Sequence, residues 1–182
     1  MEENKFVFPS GFSSKRAPRR DELEALWNWL YTNHNGKEWR VLEFGSGITS
    51  WVLNDAIHPE LHVCVEQFPI SIENVIKHVP SVQIVSTDWS DIPKHDYNML
   101  FMDSSTGAPK DLSPLIATAG VFRHDAIHYV RDMIAKDAIV IMHDWNHKAK
   151  WRLSRTYLEE NGYDLIWSYT SKYGFGAYCR KG

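Results

Sequence analysis

Cysteine is scarce in this chain, with 2 among 182 residues, Cys64 and Cys179, both in apolar, strand-like surroundings. That spacing is neither a metal-binding pair nor the framework of a disulfide-stapled secreted domain, so two buried thiols in a reducing compartment are expected. No apolar stretch of signal length follows Met1, and no run approaches the roughly 20 residues of a membrane span. A soluble, cytoplasmic chain with no membrane partner is the expectation. Internal repeats, low-complexity tracts and Pro/Gly/Ser linkers are missing too, and at about 100–200 residues per domain one folded unit is the economical reading. Charge of one sign is also lacking. The 20 basic and 23 acidic residues give a formal net charge of −3, which disfavours nucleic acid as a partner. What is present is ordinary: 43% hydrophobic and 24% charged residues, the composition of a globular domain. A chain this long hides roughly 70% of its unfolded surface and needs no disulfide or metal to fold.

Residues 1–20 read as an N-terminal arm, with aromatics at Phe6, Phe8 and Phe12 followed by the basic cluster Lys15, Arg16, Arg19 and Arg20. The folded domain is expected over 21–182. From Asp21 the pattern turns helical, because Leu23, Leu26, Trp27, Leu30 and Tyr31 recur at helical spacing, Asp21 and Glu22 suit a helix start, and Asn35-Gly36 closes the run. Thereafter β-rich runs at 40–44, 62–66, 82–86, 97–102 and 138–142 alternate with helical stretches at 48–57, 70–78, 122–135 and 148–161. That alternation predicts an α/β chain of βαβ units on a mainly parallel, twisted, Rossmann-like sheet. The end departs from it: 164–170 and 175–180 are strand-like runs joined by a Ser171–Gly174 turn, which predicts a closing antiparallel pair.

The first strand runs into Val41-Leu-Glu43-Phe-Gly45-Ser46-Gly47-Ile-Thr49-Ser50. Glycines between a strand and a helix let the backbone turn sharply and bring its N–H groups to a ligand at the helix N-terminus. The second strand ends in Glu66-Gln67, where an acid can accept hydrogen bonds from a ribose diol. The third leads to Asp88-Trp89, suited to bind and cover an adenine edge. Three successive strand tips thus describe an adenosine-shaped site. A dinucleotide fingerprint asks for a third glycine where Ser50 stands, and an acid two residues before Gly45 suits a ligand with a cationic end better than a pyrophosphate. No Gly-Lys-Ser/Thr follows the loop, so a mononucleotide P-loop is excluded.

This succession of Glu43-x-Gly45-x-Gly47-x-Thr49, Glu66, Asp88 and the closing antiparallel strands resembles the class I S-adenosylmethionine-dependent methyltransferases over roughly residues 38–182. The resemblance implies S-adenosyl-L-methionine as cofactor. Residues matching Glu43, Gly45, Ser46, Gly47 and Thr49 would flank its methionine part, and those matching Glu66, Gln67, Asp88, Trp89 and Asp103 would line the rest.

Methyl transfer from a sulfonium is an in-line displacement, so the protein has to align acceptor, methyl and sulfur and relieve the acceptor of a proton. The fourth strand delivers Asp103 and the fifth His143-Asp144-Trp145. A polar-Pro-Pro-aromatic signature and a Pro-Cys pair are both missing there, which disfavours methylation of nucleic-acid bases. Three readings of the tips stay open. His143 is a general base oriented by a carboxylate. Or Asp103 and Asp144 hold a divalent cation such as Mg2+ that acidifies the acceptor, as in catechol-type and macrolide-sugar O-methyltransferases. Or the His-Asp pair is structural.

The order Asp103-x-x-x-Gly107, Arg123-His124-Asp125-Ala126-Ile127-His128 and His143-Asp144 is also similar to the plant glucuronoxylan O-methyltransferases. That similarity implies a saccharide-like or small-molecule acceptor, with Arg123 as its clamp and Trp145 as a stacking surface. His124 and His128 share a helix spacing that can bind zinc, without a third ligand nearby. The rival classes are a nicotinamide-dependent oxidoreductase and a non-catalytic cofactor-binding module, and a homodimer is left open.

Overall fold

A computed structural model describes residues 6–10, 18–86, 88–103, 119–146 and 148–180, without the side chains of 119–123 and 148–150. Phe12, Lys15, Arg16 and the 104–107 turn lie outside the described residues, as does the Arg123 side chain. Among the described residues seven strands form one sheet in the order β3-β2-β1-β4-β5-β7-β6. They are β1 (Arg40–Phe44), β2 (Leu61–Val65), β3 (Gln83–Val85), β4 (Tyr97–Met102), β5 (Ile134–His143), β6 (Tyr163–Tyr169) and β7 (Phe175–Arg180). The pairs from β3 through β5 are parallel, and β7 runs antiparallel to both β5 and β6. Among the described residues the α-helices are α1 (Arg20–His34), α2 (Ile48–Ile57), α3 (Pro69–His78), α4 (Ala119–Val130) and α5 (Lys148–Glu160). The expected α/β architecture with its closing antiparallel pair is therefore present.

Strand alternation decides which side each residue serves. Leu42 and Phe44 of β1 pack with Ala126, Ile127 and Val130 of α4 and Trp151 and Leu158 of α5. Val41, which alternates with them in the pleat, packs on the other face with Leu23, Leu26, Trp27 and Leu30 of α1 and Val52, Leu53 and Ala56 of α2. Glu43 falls on that second face, where β1 pairs Val41 with His62 and Glu43 with Cys64. Trp27 Nε1 donates to Asp55 Oδ2 at 2.7 Å, tying α1 to α2. From the arm, Phe6 packs against Trp27 and Trp51.

Two expectations need correction. The helix anticipated over 122–135 ends at Val130, and a turn at Arg131–Met133 leads into a ten-residue β5. Ile134 pairs with Tyr97, and a register shift follows before Met99 meets Ile139. Pairing with β4 has overridden a helical pattern whose apolar spacing continued past its true end. Cys64 is buried as anticipated, but Cys179 is only partly so, because it sits near the end of β7, with Asp164 and Ile139 as its neighbours in register.

His34, in the last turn of α1, is 8% exposed between Trp29 and Trp39, with ring centroids 4.6 and 5.5 Å away. Burial, helped by nearby Lys37, pushes its imidazole down to about 4. The unfolded chain protonates this histidine near its ordinary value of 6.5, so its contribution to stability is complete above that pH and is lost as pH falls through 4. Urea midpoints are expected to drop by the equivalent of about 3 kcal/mol across that window, and His34→Phe should flatten the drop.

Candidate active site

In the order β3-β2-β1-β4-β5 the chain winds one way from β1 to β2 and the other way from β1 to β4, which opens a crevice at the carboxyl ends of β1 and β4. The loop leaving β1 is built for that position. Gly45 has φ +90° and Gly47 φ +152°, values that a side-chain-bearing residue adopts only under strain. Gly47 caps α2, and its N–H donates to Ser50 Oγ at 3.3 Å, so Ser50 holds the turn where a longer fingerprint carries a third glycine.

Successive strand tips are stitched together. Gly45 N donates to Val65 O and Glu66 N to Val85 O, both at 3.0 Å, and Asp103 N donates to Phe44 O at 2.9 Å. Glu66, 7% exposed, braces the loop. Its Oε2 accepts from Ser46 N at 2.9 Å and Ser46 Oγ at 3.0 Å. Its Oε1 accepts from Gln67 N at 2.8 Å and Phe68 N at 2.9 Å. Asp88 stands exposed at the third tip, its Oδ1 accepting from Ser90 N at 2.9 Å. Ser46, Gly47, Glu66, Gln67 and Asp88 thus fall along the carboxyl edge of β1, β2 and β3.

Glu43, Thr49, Trp89 and Trp145 are placed differently from expectation. Glu43 is fully buried behind the loop, its Oε1 accepting from Thr49 Oγ1 at 2.8 Å and its Oε2 lying 2.9 Å from His62 Nε2. It holds the loop from beneath and has no surface to offer a ligand. Thr49, 1% exposed, is its brace. The Trp89 ring goes into the core against Phe44 and Tyr129, because the 3-10 turn it opens points it inward, so it does not cover an adenine. Trp145 is likewise enclosed, with the Arg155 guanidinium carbon 3.1 Å from its ring centroid and Tyr178 beyond. Gly176 makes room for it, since a Cβ there would lie 2.5 Å from the indole. No face of Trp145 is open for stacking on an acceptor.

At the tips of β4 and β5 a chain of charges crosses the molecule. Asp103 Oδ1 is 2.6 Å from His143 Nδ1, and His143 Nε2 is 3.9 Å from Glu22 Oε2 of α1, an ion-pair distance too long for a hydrogen bond. The side chains of Glu22 and His143 are 0% and 4% exposed and that of Asp103 21%, so the aspartate is the member that meets solvent. Burial alone would lower the imidazole's affinity for protons. The charge and hydrogen bond of Asp103, with Glu22 and Asp144, outweigh it and push His143 up to about 9. It is therefore an imidazolium at neutral pH.

Glu22 is also buried, yet its carboxyl is held far below the usual range by His143, the Gly174 N–H, Ser171 and the Arg19 N–H together. Its Oε1 accepts from Gly174 N at 3.0 Å and from Ser171 Oγ, joining α1 to the β6–β7 turn. Asp144, 7% exposed, sits at φ +60°, a strained setting for a residue with a side chain, of the kind that structures retain at functional positions. Sequence reading took Glu22 for a helix-start acid and passed over His62. Strand alternation would have found His62, whereas nothing local marks Glu22.

Asp103, His143 and Asp144 can each present one ligand atom, all within 4.8 Å of one another. They fit a resident divalent cation poorly. A proton lies between Asp103 and Nδ1, the other ring nitrogen faces a carboxylate, and two acids alone make a thin oxygen shell for Mg2+.

No protein-family model matches the chain, and no curated protein matches it. Solved structures do. An O-methyltransferase from Bacillus cereus in complex with SAH superposes with a TM-score of 0.66 at 9% identity, covering 92% of this chain and 84% of that one. The O-methyltransferase TomG from Streptomyces achromogenes, involved in tomaymycin synthesis and solved with SAM, gives 0.63 at 15%, covering 92% and 82%. The ribosomal protein L11 methylase from Lactobacillus delbrueckii subsp. bulgaricus gives 0.65 at 12%, covering 91% and 81%. The fold is the Rossmann-like methyltransferase fold. Two of those proteins are named O-methyltransferases and the third a ribosomal protein methylase, so the fold alone does not name an acceptor. Among the described residues no helix is long and apolar enough to cross a membrane.

Proposed function

We propose that this chain is an S-adenosylmethionine-dependent methyltransferase acting on an oxygen of a small or saccharide-like acceptor. The observation that carries the reading is the seam of hydrogen bonds joining the tips of β1, β2 and β3 around Glu66, with Asp103 one strand further along the same edge. Glu66 would take the ribose hydroxyls, the backbone of 45–47 would border the methionine part, and Asp88 would meet the adenine side. The cofactor supplies a methyl group on a cationic sulfur. Asp103 and Asp144, opposed by the single charge of His143, leave the crevice electronegative where that sulfur would lie.

Asp103 is the acceptor-facing group in this reading, and His143 stands behind it as a fixed cation rather than as the base. Asp103 would take the acceptor's proton, directly or through water, as the acceptor oxygen displaced the methyl group from a sulfur that kept the bonding pair. A carboxylate is a weak base. It suits an acceptor that parts with its proton readily, a carboxyl or an acidic hydroxyl, more than a plain alcohol. Calorimetric titration with S-adenosylhomocysteine should give saturable heat while NADH gives none. The reverse would favour the oxidoreductase.

Glu22 enters as a positioning residue. A glutamine at that site keeps a carbonyl for Gly174 and Ser171 but turns an N–H toward His143, favouring the neutral ring. Glu22→Gln is expected to lower kcat about tenfold with unchanged S-adenosylhomocysteine affinity. Equal kcat would leave Glu22 a structural staple only.

A further inference from the structure

Glu66 is saturated by the protein itself. A carboxylate offers about four lone-pair positions, and here the amides of Ser46, Gln67 and Phe68 and the hydroxyl of Ser46 occupy all four. A ribose diol arriving at this carboxylate therefore finds no vacancy, and one resident donor has to yield. The four are unequal. Gln67 and Phe68 follow Glu66 directly in the chain, and Phe68 is the N-cap of α3, so neither amide can turn away without unmaking the start of that helix. The Ser46 amide is fixed by the glycine turn on either side of it, with Gly45 bonded to Val65 O. The Ser46 hydroxyl alone leaves by rotating about one single bond, from a residue that is only partly buried.

Resting on the cofactor assignment above, we infer that the Ser46 hydroxyl is an internal stand-in for a ribose hydroxyl, holding Glu66 Oε2 until the nucleoside displaces it. The swap exchanges one O–H donor for another at the same oxygen, so no buried charge is exposed on the way. It also makes Ser46 a brake on affinity, because each binding event first breaks its bond to Glu66. Removing the hydroxyl leaves Oε2 with its amide donor and one open lone pair that a ribose hydroxyl fills at no cost to the protein.

The test is calorimetric titration of the full chain with S-adenosylhomocysteine and with its 2′,3′-dideoxyribose analogue. Ser46→Ala should bind S-adenosylhomocysteine about 3- to 10-fold more tightly than the parent, the worth of one net hydrogen bond. That gain should vanish with the dideoxy analogue, which has no hydroxyl to take the vacated place. Ser46→Gly serves as a second variant and should show the same gain. Affinity that is unchanged or weaker in both variants would overturn the inference and assign Ser46 to the loop or to direct ligand contact. A parent chain that gives no heat with S-adenosylhomocysteine would overturn it differently, by removing the cofactor reading beneath it.

Discussion

Glu66→Ala should weaken S-adenosylhomocysteine binding by about two orders of magnitude, the largest effect on cofactor affinity expected from any single change in this chain. Two losses combine. Hydrogen bonds from a ribose diol to a carboxylate are charge-assisted, each worth about 1.5–3 kcal/mol. The same substitution strands the amides of Ser46, Gln67 and Phe68, which now share this one carboxylate, so the glycine loop and the start of α3 lose their common anchor. Isothermal titration checks the affinity, and the urea midpoint separates loop loosening from global unfolding. Glu66→Gln retains one carbonyl oxygen and should fall between the parent and the alanine variant. Parental affinity in Glu66→Ala would place the nucleoside elsewhere.

Asp103→Ala should act on the other half of the reaction, cutting methyl transfer by about 10²–10⁴-fold with S-adenosylhomocysteine affinity within a factor of a few of the parent. The readout is labelled methyl passed from S-adenosylmethionine to a panel of uronate, sugar and phenolic acceptors. Asp103 is the exposed end of the Glu22–His143–Asp103 line, so its removal takes away the acceptor-facing carboxylate and leaves the imidazolium without its nearest counter-charge. Asp103→Asn, of the same shape, should be nearly as impaired, because charge rather than bulk is what the position supplies. A fully active Asp103→Asn would make the aspartate a packing group.

The strands were legible because each is a short β-rich run with its own turn chemistry. β1 and β4 fall where the pattern put them, and so does β7, since nothing outside those runs competes for them. The failure at residues 131–135 is instructive in the same terms, because the apolar spacing of α4 carries past Val130 while β4 claims Ile134 as a ladder partner. Of the site, the parts close in sequence were readable: the two positive-φ glycines, and the acid ending the second strand.

What the sequence hid are partnerships across the fold. Glu43 looked like a ligand-facing acid because it stands two residues before Gly45, yet the pleat turns it into the core beside His62. Glu22 looked like a helix-start charge because the β6–β7 turn that receives it lies at the far end of the chain. Tryptophans adjoining motif residues invited stacking roles, whereas Trp89 and Trp145 serve the core. In each instance the missing information was which side of the sheet a residue faces and what a distant segment brings to it.

The most direct test is a crystal structure of the chain with S-adenosylhomocysteine. A ribose hydroxyl is expected on Glu66 Oε2 with the Ser46 hydroxyl turned away, and the sulfur facing the Asp103 carboxylate. The nucleoside bound at any other place, or Glu66 still closed on Ser46 with the ligand seated elsewhere, would contradict that expectation.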